Sequence, residues 1–275
     1  MREEALLLTC DGSRLESGNL AKMLNFFGVP WRALTVDEFL SYDSVNHQSC
    51  ANIRIFCSSN ALLALTEQLK RDADCLLRWQ EHVHSVFVYA GDDPVALRRL
   101  VRMLCGQDTT VVDKLNRSIG DFVVSDEFDE FCGVMAGVRV AASKEDIKAS
   151  LISHTSKTAV HKIISSAQGT AFLKSEYNKV PVFLSTSRSI IDIDAKLTTQ
   201  NFDIRDRFLS TVPVVLYIKW AFPENCWSDP ETNACLVIDD PVLKSTHGFV
   251  NFQDLLSLMK RHKFSTNIAF IPWNW

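Results

Sequence analysis

Two adjacent carboxylates, Asp239 and Asp240, follow the apolar run Cys235-Leu236-Val237-Ile238 and are followed at once by Pro241. An uninterrupted apolar run of this length is the pattern of a strand buried on both faces, which puts the pair at that strand's C-terminal end. In barrel and open α/β folds that end faces the active site, whatever the chemistry. Neighbouring strand residues point to opposite faces, so both carboxylates converge on one site only where the strand turns into its loop. Pro241 marks that turn and restrains Asp240 to extended geometry. Other residues offer chemistry with weaker support. Cys57 ends a strand-like run before Ser58-Ser59-Asn60, the position of a nucleophile, but no flanking glycines provide a tight elbow. His82 and His84 share a face of a strand reading and could meet a metal. Asp192 and Asp194 alternate with isoleucines, as on a solvated strand face or a calcium-binding one. Gly12 and Gly18 do not make the G-x-G-x-x-G of a nucleotide site.

The elements needed to position the aspartate pair can be read on either side of it. After a loop of about ten residues, Asn251 has the character of an N-cap, and Phe252, Leu255, Leu256 and Met259 recur at helical spacing. Lys260, Arg261, His262 and Lys263 suit the negative end of that helix dipole. Residues 264–271 return to a strand-like run closed by Pro272, giving a right-handed βαβ unit with parallel strands. These pieces, 236–240, 251–262 and 267–271, resemble the polysaccharide deacetylase family, of the carbohydrate esterase, NodB-homology type. Its first motif is an apolar strand ending in Asp-Asp, followed by a helix and a second strand. The resemblance implies a metal-dependent hydrolase that removes acetyl groups from carbohydrate amides, with Asp239 as catalytic base and Asp240 as ligand to a divalent metal, zinc foremost. It covers about the last sixth of the chain and departs from the family where Pro241 replaces Gly-Pro after the pair. The family's histidine pair, which completes the metal site, is expected beyond Trp275. The chain is therefore read as a truncated start of a (β/α) barrel, inactive by itself.

An internal comparison sharpens the reading. Asp92-Asp93-Pro94-Val95 repeats the string Asp239-Asp240-Pro241-Val242 after another apolar run. The first string enters a helical pattern directly, so Asp93 reads as an N-cap with Pro94 at the first helical position. The second is followed by a loop, which leaves its carboxylates without a helix to cap. His247 in that loop is either a solvated side chain or a group at the substrate mouth. Trp273 and Trp275, after the second strand, either anchor packing or stack on sugar faces.

Along the rest of the chain, strand-like runs at 5–9, 53–57 and 83–89 alternate with helix-like patterns at 20–27, 61–79 and 95–105. This is the signature of βα units on a parallel sheet and predicts a flavodoxin/Rossmann-like α/β domain over 1–108. A mixed α/β region is expected over 109–232, with strands at 121–124, 137–141, 180–184 and 213–220, a helix around 144–165 and a linker at 222–233. The fold class is thus α/β: a parallel-sheet domain, a mixed middle, and the first βαβ of an incomplete barrel over 233–275. A net charge of −4 with scattered Lys and Arg argues against a nucleic-acid surface. No apolar run approaches the roughly 20 residues that span a bilayer, and the N-terminus lacks the pattern of a signal peptide. A cytoplasmic chain without a membrane partner is expected. Eight cysteines without a C-x-x-C pair read mostly as buried free thiols. The alternative to a hydrolase is a non-catalytic α/β ligand-binding or regulatory protein with a vestigial aspartate pair.

Overall fold

The computed structural model describes residues 4–10, 14–41, 52–112, 120–143, 150–153, 160–196, 203–226, 236–239 and 250–269. The chain divides into two compact units, Met1–Trp227 and Ser228–Trp275.

In the first unit, apolar runs become strands because both faces of each are covered. β1 (Glu4–Thr9), β3 (Ile53–Ser58) and β4 (Val83–Tyr89) pair in parallel, with β2 (Trp31–Thr35) beside β1. One face carries Leu6, Leu8, Ile55, Cys57, Val86 and Val88 against α3 (Ser59–Leu69), α4 (Ala73–His82) and α5 (Pro94–Cys105). The other carries Ala5, Leu7, Phe56 and Phe87 and packs with residues of α1 (Arg14–Phe26) and α7 (Phe208–Ala221). A short α2 (Val36–Ser41) follows β2.

The sheet then changes character. β11 (Val180–Ser185) is parallel to β4 and antiparallel to β10 (Gly169–Tyr177), so one strand joins a parallel half to an antiparallel half. Beyond β10 come β9 (His161–Ser166), β6 (Asp121–Val124) and β7 (Arg139–Ala141). β5 (Thr110–Val112) pairs with β8 (Leu151–Ser153), which joins β10. The result is a mixed sheet of eleven strands rather than a purely parallel one. A short α6 (Asp129–Cys132) follows β6. Where β8 meets β10, the backbones approach so closely that a Cβ on Gly169 would lie 2.8 Å from the Ile152 carbonyl oxygen.

An aromatic cluster fills the face beneath α7. Phe183 stacks on Phe131 at 4.9 Å and meets Trp220 at 4.8 Å and Tyr217 at 5.2 Å. The buried Tyr217 hydroxyl shares a 2.8 Å hydrogen bond with Ser85, so its one polar atom is satisfied inside the core.

Three sequence expectations are corrected. Residues 213–220 lie in α7, not in a strand: the segment is apolar on nearly every side and rich in β-branched residues, so it shows no helical stripe. The helix expected around 144–165 is replaced, among the described residues, by β8 and the start of β9. The single helix over 61–79 is two, because Asp72 accepts from the backbone N–H groups of Asp74 and Cys75 and starts a new helix.

The second unit contains β12 (Leu236–Asp239), α8 (Phe252–His262) and β13 (Thr266–Ala269), the two strands pairing in parallel. This is the expected βαβ order; it is the whole of what is described there. The molecule is accordingly α/β, with a large mixed sheet and eight α-helices among the described residues.

Candidate functional site

β12 ends at Asp239, which stands opposite Ala269 at the end of β13, so the register places Asp239 at the common C-terminal edge of the two strands. The crossover helix opens as its sequence demands. The Asn251 Oδ1 accepts from the N–H of Gln253 at 3.0 Å and of Asp254 at 3.2 Å, and its Nδ2 donates to Asp254 Oδ2 at 2.6 Å. Lys260, Arg261 and His262 occupy the last turn, and Lys263 closes the helix in the left-handed region at φ 52°. Asp240, Pro241, His247, Trp273 and Trp275 lie outside the described residues. Of the sequence-derived site, the structure therefore positions Asp239 within its strand.

The duplicate string behaves differently. Asp93 Oδ1 accepts from Val95 N at 2.8 Å and Ala96 N at 3.2 Å, with Pro94 opening α5. Its carboxylate is engaged as a helix cap, as the sequence predicts.

The C-terminal rim of the parallel strands in the first unit is where a nucleophile or phosphate would sit in such a sheet. Several of its polar groups are turned inward. Cys57 is 1% exposed, and burial pushes its thiol far up from the ordinary range, away from the reactive thiolate. Ser58 follows in ordinary extended geometry, φ −78°, rather than the strained turn of a nucleophile elbow, and caps α3 through Ala61 N. Ser59 donates to the Ala90 carbonyl at 2.6 Å, Thr186 to Ala171 at 3.2 Å and Ser187 to Ser189 at 2.7 Å. Burial also raises Cys105 to about 12 and Cys132 to about 11. Among the described cysteines, Cys10 is exposed and Cys57, Cys75, Cys105, Cys132 and Cys226 are buried free thiols.

Two metal readings are corrected. His82 ends α4 while His84 lies in β4 and stacks over Trp220 at 6.2 Å, so the pair does not share a strand face. Asp192 and Asp194 sit in a turn rather than a strand, and Lys22 of α1 reaches both, at 2.5 and 3.3 Å. The Lys22 hydrogen bond holds the Asp192 carboxyl below its usual range. No group of three or more His, Cys, Asp or Glu side chains able to hold a metal lies among the described residues.

Sequence reading missed one concave feature. A groove of about 370 Å³ is lined by Val123, Ser125, Asp126, Glu127, Val160, His161, Lys162 and Ser165. Phe128 meets the His161 ring edge-on at 4.8 Å. The acidic turn after β6 is visible in the sequence, but the opposite wall belongs to β9, in a stretch whose pattern predicts helix.

No family model and no curated protein matches this chain. Among solved structures, it is similar to Agd3, described as a novel carbohydrate deacetylase, with a TM-score of 0.51 and 9% identity over 98% of this chain. The match spans 42% of the Agd3 chain, less than half its length. A glutamine amidotransferase from Thermotoga maritima matches at TM-score 0.35 and 8% identity, over 68% of this chain and 75% of that one. A cytoplasmic protein from Salmonella typhimurium, STM1381, matches at TM-score 0.40 and 10% identity, over 78% of this chain and 99% of that one. At such identities the first likeness concerns the fold alone. No helix among the described residues is long and apolar enough to cross a membrane.

Proposed function

We propose that this chain is part of a carbohydrate deacetylase-like hydrolase, in which residues 233–275 open the catalytic region and the first unit is a non-catalytic α/β module. The observation that carries the reading is the position of Asp239 at the C-terminal edge of two parallel strands, with α8 starting only at Phe252. The fold likeness to a carbohydrate deacetylase over nearly the whole chain supports it. So does the rim of the first unit, where Ser59, Thr186 and Ser187 donate to backbone carbonyls and Cys57 is sealed from solvent.

In this reading Asp239 accepts the proton of the attacking water and Asp240 is a metal ligand, a hard oxygen donor suited to a divalent cation. In the same proposal the remaining ligands are histidines from outside the described residues, among which no group of three or more His, Cys, Asp or Glu side chains could hold a metal. Bound there, zinc would supply polarisation of the N-acetyl carbonyl and a lowered pKa for its water. His247, Trp273 and Trp275 line the substrate mouth in the same proposal.

The test is acetate release from N-acetylated oligosaccharides by the product of the full reading frame. Asp239→Asn is expected to lower kcat about 10²–10⁴-fold, and Asp240→Ala to lose bound zinc as measured by elemental analysis. Full activity in Asp239→Asn overturns the assignment.

A further inference from the structure

We draw no further inference here: the strongest candidate, the open groove between the turn after β6 and strand β9 lined by Ser125, Asp126, Glu127, His161, Lys162 and Ser165, has both acidic and basic side chains exposed on its rims, and nothing in the structure shows which ligand would occupy it.

Discussion

The two units meet the same physical requirement with very different resources. In the first, strands such as β3 and β4 have a neighbour on each side and a packed core on each face, and Phe56, Phe87, Val86 and Val88 are fully buried. In the second, the described residues give two parallel strands and one helix, no residue of α8 is buried, and Val237 is 57% exposed. Local sequence quality does not separate them: α8 has a sound N-cap and a clear apolar stripe. Parallel strands are stable when covered on both faces and extended at their edges, and one βαβ cannot supply that cover. The contrast extends to the repeated Asp-Asp-Pro-Val string. Followed directly by α5, the first copy closes a helix end; in the second copy Asp239 stands at a strand terminus and the next described helix starts only at Phe252.

The largest effect should come from separating the units. Residues 1–227 alone are expected to unfold in one cooperative thermal transition, and residues 228–275 alone to show none by circular dichroism. A cooperative melt from the isolated smaller unit would break the comparison. A pair of truncations then measures packing directly. Phe183→Ala, in the aromatic cluster, should cost about 3–5 kcal/mol in denaturant titration, whereas Leu256→Ala, at a position 49% exposed on α8, should stay within about 0.5 kcal/mol.

Removing one oxygen tests the core's polar bond. Tyr217→Phe leaves the buried Ser85 hydroxyl without its partner and should lower stability by about 1–3 kcal/mol; the double variant with Ser85→Ala should recover part of that loss. The caps compare the units on equal terms. Asp93→Ala should destabilise by about 1 kcal/mol and lower the global melting temperature. Asn251→Ala should reduce local helicity, seen as faster amide exchange in α8, with little change in that temperature.

The smallest effect is electrostatic. The folded-state pKa of Asp192 is depressed by Lys22, so the contribution of this exposed pair is present above the unfolded carboxylate value of about 3.9 and is lost as pH falls through the lower folded value. In an NMR titration, Lys22→Met should move the Asp192 midpoint upward; no movement would show that the contact is not kept in solution.

In the parallel half of the sheet β1, β3 and β4 were legible because mostly apolar runs alternate with helical patterns and because Asp93-Pro94 is an unambiguous helix start, whereas β2, a short strand interrupted by Arg32, was not. The middle was not. α7 is apolar on nearly all sides, so helix and strand periodicities vanish together. β10 reads Gly-Thr-Ala-Phe-Leu, with Thr170, Ala171, Phe172 and Leu173 all buried across an irregular register, and a period of two cannot survive that. The split between α3 and α4 rests on one capping aspartate. Of the candidate site, the strand ending at Asp239 and the Asn251 cap were readable from local patterns. The pairing of Asp192 and Asp194 with Lys22 was not, since it joins segments far apart in sequence.

β11 carries a consequence for biosynthesis. Val86 of β4 pairs with Val182, so the open side of the parallel half acquires its neighbour only after most of the first unit has been made. During translation β4 would leave the ribosome as a bare strand edge, the kind of surface that recruits other strands. A nascent chain stalled before residue 180 should therefore be a better client for holding chaperones than one stalled after 227.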